Sequence, residues 1–352
     1  MDSLRKEFTN FKIHTQYSIC AGAIKIDDLA IYCKSKKIKA VGISDNYNLC
    51  GALEFAEKIS KAGTQPIIGT QINFQLDGFF GKLPLFAISE KGYKNLIKLS
   101  SESFLNTDNL SDPHCKFEDL LNYSEDVIIL SGGHNDLFGN LFKLNKIDLI
   151  EKSFLKLKNF FTDKIYLEIQ RHNESDENHF ENYLISISKK LEIPLIASQE
   201  IFYIEKEMYE AHDALICIGN KDFIDNNKRM KFSDQHYIKE DQDLKTLYKD
   251  IPEALENNYN FPFRFNFKPK KSLPKLPTIK TKDGITVEEE LLLQAKKGLK
   301  NRLDNFIFKN NSKIDEKKST KIYEDRLLHE INIINSMDYP SYFLIVSDYI
   351  KW

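Results

Sequence analysis

From Phe11 to Ser198, short apolar runs alternate with stretches whose apolar residues recur every three or four places. Ala40 to Ser44 is one such run, with Asp45 just past its end, where the loops of a parallel α/β barrel line a working face. Ala52, Phe55, Ala56 and Ile59 then share one face of a helix, which stops at Gly63, a residue suited to a left-handed cap. Pro66 to Gly69 starts the next run, so the segment reads as a strand–helix–strand unit with a right-handed crossover. The same alternation predicts strands at Phe11–Thr15, Leu83–Ser89, Val127–Ser131, Ile165–Gln170 and Pro194–Ser198. Helices are predicted from Asp27 (Leu29, Tyr32 and Cys33 inward), through Leu96, Leu99 and Phe104, and over Asp176–Leu191 (Phe180, Tyr183, Leu184, Ile187 and Leu191 on one face). Asn106–Pro113 reads as a polar loop. About seven alternations predict a parallel α/β barrel or a doubly wound sheet.

The pattern changes after Leu255. Pro262, Pro269, Pro274 and Pro277, interleaved with Arg264, Lys268, Lys270, Lys271 and Lys275, predict an extended basic linker. Thr286–Glu289 forms a capping box ahead of a helix bearing Leu291, Leu292, Ala295, Leu299 and Leu303, and a second helix carries Tyr323, Leu327, Ile331 and Ile334. The expected organisation is a domain over 1–260, a linker over 261–285 and a helical segment over 286–352. The apolar run from Tyr342 to Trp352 suggests a fragment of something longer.

Composition narrows the class. Of 352 residues, 29% are charged and 41% hydrophobic, the balance of an ordinary globular chain, and a net charge of -2 supplies no global pull toward DNA or an anionic membrane. The five cysteines form no C-x-x-C pair, which suits reduced thiols in a cytoplasmic protein. Met1–Glu7 is charged and precedes no apolar signal-peptide core, and no run approaches the ~20 residues of a membrane span.

Several segments, in order, resemble the N-terminal part of the α subunit of bacterial DNA polymerase III: His14–Ser18, Ser44–Gly51, Pro66–Gly69, Ala211–Ile218 and Met337–Val346. The resemblance implies a PHP (polymerase and histidinol phosphatase) domain, an α/β fold built as a distorted (β/α)7 barrel, followed by the mainly helical start of a polymerase palm. An active PHP site resembles a multi-metal phosphoesterase, in which His, Asp and Glu hold metals that activate water. Carried over position by position, the ligand pattern is degraded. The opening His-x-His is Lys12-Ile13-His14, Asp-His is Asp45-Asn46, the Gly-x-Glu carboxylate is Gln71, and the closing Asp-x-His is Glu200-Ile201-Phe202. The position after the Val127 strand falls near Gly133, with His134 beside it.

A lysine at position 12 repels a divalent cation, so the expectation is a relic pocket without metal, with Lys12 paired to Asp45 or Glu200 and His14, Asp45 and Glu200 as residual candidate ligands. His172, His179 and His236 are expected at the surface or in caps, and His212 in a local hydrogen bond. The resemblance implies further expectations. The PHP domain would be a scaffold for the palm and a docking site for the proofreading exonuclease subunit, with Phe79, Phe80 and Tyr203 as candidate anchors. Partners would be the replisome subunits and DNA, with Lys268, Lys270, Lys271 and Lys275 as candidate phosphate contacts and no membrane partner. The full-length protein would be a DNA-directed DNA polymerase using Mg2+, whereas this stretch precedes the catalytic aspartates, needs no cofactor and is itself inactive. The alternative reading is a PHP phosphoesterase or 3′–5′ exonuclease with a reduced ligand set.

Overall fold

A computed structural model describes residues 6–107, 112–226, 228–275, 277–281, 284–309 and 315–352. Part of the expected polar loop at Asn106–Pro113 and of the N-terminal stretch, together with Lys282 of the basic segment, lies outside them. The chain divides into two compact units, Met1–Lys271 and Ser272–Trp352.

Among the described residues, the first unit is built on nine strands: β1 Lys12–Ile13, β2 Ala40–Asn46, β3 Gln65–Leu76, β4 Phe79–Ala87, β5 Cys115–Lys116, β6 Val127–Leu130, β7 Ile165–Gln170, β8 Leu195–Ser198 and β9 Glu200–Ile201. Their order is β8-β7-β6-β4-β3-β2-β1-β9, with β5 added beside β3. Only Gln199 separates β8 from β9, yet β8 pairs with β7 and β9 pairs with β1. One bent segment therefore closes the ring, which makes the sheet a distorted barrel. All ring pairs are parallel except those of β4, which runs antiparallel to both β3 and β6.

That exception is a β3–β4 hairpin the alternation of strands and helices did not predict. Its turn is Asp77-Gly78, both at positive φ (49° and 81°), the conformation that matches the twist of a two-residue hairpin. Phe79 and Phe80, candidate anchors from the sequence, consequently belong to β4. Ten α-helices accompany the ring among the described residues: α1 Ile26–Lys36, α2 Ala52–Lys61, α3 Glu90–Leu105, α4 Phe117–Asn122, α5 Leu137–Lys143, α6 Ile147–Phe161, α7 Glu177–Leu191, α8 Tyr209–Asn220, α9 Asp241–Leu247 and α10 Pro252–Asn260. α1 begins beyond Lys25 rather than at Asp27, with Leu29 and Cys33 buried as expected; Tyr32 is half-buried and Phe104 exposed.

Strand alternation sorts side chains between an outer and an inner core. Val41 and Ile43 of β2, Ile68 of β3 and Ile201 of β9 face the helices with Leu29, Phe55 and Ile59. The opposite parity points inward, where Ala40, Ile67, Phe86, Ile128, Tyr166 and Ile196 form a layer that plugs the N-terminal end of the barrel. Phe261 and Phe265 complete that plug, 1% and 5% exposed. The proline-rich stretch expected to start a linker at 261 thus begins as barrel core.

The second unit contains α11 Val287–Arg302, a π-helical turn over Leu303–Phe308, α12 Glu316–Ser336 and α13 Pro340–Lys351. The capping box is present, with Glu289 N donating to Thr286 Oγ1 at 3.2 Å and Thr286 N to Glu289 Oε2 at 2.9 Å. Leu291, Ile331 and Leu344 form its small core.

Candidate functional site

Above the aromatic plug, the inward positions turn polar. Glu168 and Gln170 follow Tyr166 on β7, Gln71 follows Ile67 and Gly69 on β3, and Ser198 follows Ile196 on β8. Lys12 projects among them and has no solvent exposure. Its Nζ lies 3.3 Å from Asp136 Oδ2, 3.6 Å from Glu168 Oε2 and 3.7 Å from Glu200 Oε1. Burial by itself disfavours the ammonium, but the three carboxylates outweigh it and raise the Lys12 pKa above its ordinary value. The same ammonium, together with the His14 imidazole, overcomes the burial of Glu200 and holds its carboxyl well below the usual range. Glu168 is pushed up by burial in spite of Lys12.

His14 sits at the rim of this cluster, its Nε2 3.0 Å from Glu200 Oε1. The Gln71 amide nitrogen donates to Glu200 Oε1 at 2.8 Å and lies 2.9 Å from His14 Nε2. Burial lowers the His14 pKa, which favours the neutral ring. Phe202 stacks on that ring at 4.6 Å. Lys12, His14, Gln71, Glu200 and Phe202 therefore do converge.

Asp45 does not join them. It has the parity of Val41 and Ile43 on β2 and accepts three hydrogen bonds, from Thr15 N (2.6 Å), Thr15 Oγ1 (2.7 Å) and Ser18 Oγ (2.7 Å). The Lys12 ammonium pairs with Glu200 and not with Asp45; the carboxylate instead fixes the loop after β1. Asn46 accepts from Lys82 Nζ at 3.3 Å.

Two members of the cluster, Asp136 and Glu168, were missed by the residue-by-residue reading. Both left a signal. Glu168 is a charge in the middle of the apolar run Ile165–Gln170, where an unpaired charge is rare. Asp136 opens α5 just past Gly132-Gly133, and accepts from Gly133 N at 2.8 Å. Gly133 itself offers no side chain, and a Cβ there would stand 2.2 Å from Gln170 Oε1. The space between Gly133, His134, Glu168 and Gln170 amounts to about 10 Å³, at the lower limit for one water.

Two of the three histidines expected at the surface or in caps are instead buried and structural. His172 and His236 are 2% and 3% exposed and stack at 4.1 Å with 5° between their planes. Glu200 N donates to His172 Nε2 at 3.0 Å, and His236 Nδ1 donates to Glu200 O at 2.9 Å. The two rings thus hold both sides of the peptide that presents Glu200. His212 is buried and reaches Ala21 O at 2.9 Å, a distant rather than a local partner. His179, by contrast, is exposed as expected, beside Asp176. Tyr203, an expected surface anchor, is fully buried.

The donor set is a poor one for a divalent metal. A cation on the oxygens of Asp136, Glu168 and Glu200 would lie against the Lys12 ammonium. A double charge ~4 Å from a single one costs about 8 kcal/mol at an effective dielectric of 20. Gln71 is neutral, and Asp45 is turned away with its oxygens engaged. The residues present do not fit the metal cluster of an active PHP site. All five cysteines are free thiols, Cys20 and Cys50 exposed. Among the described residues, no helix is long and apolar enough to cross a membrane.

A barrel of this topology, with its polar cluster at the C-terminal strand ends, defines the class: residues 10–172 match the PHP domain family. Residues 289–352 match the family described as the bacterial DNA polymerase III alpha NTPase domain. The chain is 37% identical to the DNA polymerase III subunit alpha of Rickettsia bellii over 99% of its own length and 30% of that protein's. It is 34% identical to the subunit of Caulobacter vibrioides, over 100% of itself and 31% of the relative. The chain is thus similar along its whole length to bacterial DNA polymerase III alpha subunits, and spans about 30% of the length of the curated relatives it matches. Among solved structures, one from Bifidobacterium adolescentis, described as a metal-dependent phosphoesterase, covers 55% of this chain and 86% of its own at 12% identity and a TM-score of 0.36, too low to bear on function.

Proposed function

We propose that these residues are the N-terminal part of a replicative DNA polymerase α subunit, and that their PHP barrel is a scaffold rather than a hydrolase. The observation that carries this reading is the Lys12 ammonium enclosed by Asp136, Glu168 and Glu200. It supplies internally the positive charge that a metal would bring, and so keeps three carboxylates tolerable inside a barrel. The pocket then works as an internal staple between β1, β7, β9 and the start of α5. The whole protein is a DNA-directed DNA polymerase that uses Mg2+ for nucleotidyl transfer and works with other replisome subunits on DNA in the cytoplasm. This stretch neither polymerises nor needs a cofactor of its own. Its PHP unit docks the proofreading exonuclease subunit.

Calorimetry of the 352-residue chain with Zn2+ and Mn2+, with phosphodiester hydrolysis followed on the same sample, tests the reading. No stoichiometric binding and no turnover are expected. Binding of two or more metal ions with turnover would overturn the scaffold role and restore the phosphoesterase alternative. Titration of a purified proofreading exonuclease against the chain tests the docking role; saturable binding is expected, and its absence removes that part.

A further inference from the structure

The first unit buries a second lysine, in surroundings that are the reverse of those of Lys12. Lys239 lies in the irregular segment ahead of α9 and is 7% exposed. Its Nζ donates to Gln199 Oε1 at 2.7 Å and to Gln235 O. Both acceptors are neutral, and among the described residues the ammonium has no ion-pair partner. The Tyr237 ring, 5.0 Å from Nζ to its centroid, offers an attraction far weaker than a carboxylate would. An ammonium taken out of water without a counter-charge gives up its proton more readily. Burial pulls the Lys239 pKa down to about 8, against the more distant Glu177 and Asp234 and with a small push from Lys206. Lys12, enclosed by three carboxylates, moves the other way.

The amine is not sealed in. Lys239 lines a cavity of about 380 Å³ together with Arg171 after β7, Glu177 and Asn178 of α7, Tyr237, and Asp243 of α9. The charged groups nearest to it are committed elsewhere. Arg171 is held by Glu181 and Asp250, at 2.5 and 2.7 Å. The Glu177 carboxylate accepts from the backbone N–H groups of His172 (2.8 Å) and Glu174 (3.4 Å). Neither turns to Lys239. The cavity is many times the ~30 Å³ share of one water, which leaves room beside the amine for a group of a few heavy atoms. An amine that is neutral near physiological pH and faces such a space is an activated nucleophile.

We infer that Lys239 is an acyl-acceptor site, modified on Nζ by small activated acyl donors of the acyl phosphate or acyl thioester class. The neutral amine attacks the carbonyl carbon of the donor. A C–N bond forms as the C–O bond of the acyl phosphate, or the C–S bond of the thioester, breaks. Phosphate or thiolate leaves with the electron pair, and the amine proton passes to solvent. The amide product keeps one N–H and no charge, so it can serve Gln199 Oε1 or Gln235 O but not both. Gln199 is the single residue between β8 and β9. Modification therefore acts on the joint that closes the barrel ring. The inference goes beyond the scaffold reading: metal titrations decide the one, acyl transfer to Lys239 the other.

The test is incubation of the 352-residue chain with acetyl phosphate, or with the acetyl thioester of N-acetylcysteamine, followed by peptide mapping in a mass spectrometer. At pH 7.5 about a quarter of an amine that titrates near 8 is neutral, against ~0.1% of an ordinary lysine. After allowance for lower basicity and burial, Lys239 is expected to acetylate at least ~tenfold faster than the exposed Lys116, Lys152, Lys189 and Lys221. Its rate should level off above pH ~8.5, where an ordinary lysine continues to gain through pH ~10. Gln199→Glu sets a carboxylate against the amine and should cut labelling of Lys239 at least ~tenfold, with the exposed lysines unchanged. The faster of the two donors identifies the source of the acyl group. A rate at Lys239 no higher than at the exposed lysines, or one that climbs with pH in parallel with theirs, would overturn the inference. So would undiminished labelling in Gln199→Glu protein whose circular dichroism matches wild type.

Discussion

Replacing Lys12 by methionine isolates the central claim. At an effective dielectric of 20, each of its contacts at 3.3, 3.6 and 3.7 Å is worth about 4.5 to 5 kcal/mol of Coulomb energy. Desolvation of the ions returns several kcal/mol apiece, and removing one partner of a buried ionic group costs about 3–5 kcal/mol net. That loss is expected in Lys12→Met near pH 8, by urea denaturation. The pH dependence has a defined sign. Lys12 has a raised folded pKa, so its contribution is complete below the ordinary lysine value and is lost only as pH rises through the elevated one. Glu200 has a depressed folded pKa, so its contribution is present above the ordinary glutamate range and is lost as pH falls through the lowered value. In the variant, Glu200 loses its principal cation, and burial outweighs the His14 and Lys82 contributions that remain. Its folded pKa then rises above the unfolded one, and stability is regained as pH falls. The gap between variant and wild type should therefore narrow from pH 8 to pH 5. A gap below ~1 kcal/mol at pH 8, or one that does not narrow on acidification, would refute the counter-cation argument.

Three further outcomes follow from the geometry. Asp45→Asn places an amide N–H against donors of Thr15 and Ser18 and should cost about 1–3 kcal/mol; a melting temperature equal to wild type would mean those bonds do not hold the loop. Phe261→Ala should cost about 3–5 kcal/mol, because the ring sits 4.4 Å from Phe11 in the barrel plug; a loss under ~1 kcal/mol in chemical denaturation would place 261 in a linker after all. The buried histidines should make the fold acid-sensitive. Burial lowers the pKa of His14, of His172 (well below its ordinary value) and of His212 (to about 4). Their contribution is complete above pH ~6.5 and is lost as pH falls, by up to ~1.4 kcal/mol per pH unit for each ring. Raised carboxyls at Asp45 and Glu168 act in the opposite sense and keep the net slope below that ceiling. Stability that does not change between pH 7.5 and 5.5 would contradict this.

The local pattern of the chain determined seven of the nine strands among the described residues, all but the two-residue β5 and β9, and that strands alternate with helices. Val127–Leu130 is a continuous apolar run and Ile165–Ile169 one broken only by Glu168, and such runs have few alternatives to a strand buried on both faces. It also determined the capping box at Thr286 and the degradation of the ligand pattern, since Lys12, Asn46 and Gln71 are identities and need no fold to be read. The antiparallel β4 was hidden because period-2 patterning carries no direction, and only the Asp77-Gly78 turn reverses the chain.

The composition of the pocket was decided by tertiary structure alone. Lys12 meets residues 124, 156 and 188 positions away, and ring closure at Gln199 is what brings β7 and β9 beside β1. Strand parity, not residue type, turned Asp45 outward and left Glu168 facing in. Burial of His172, His236 and Phe261 was invisible for the same reason. A polar or loop-like segment reveals its exposure only when the surfaces packed against it are known.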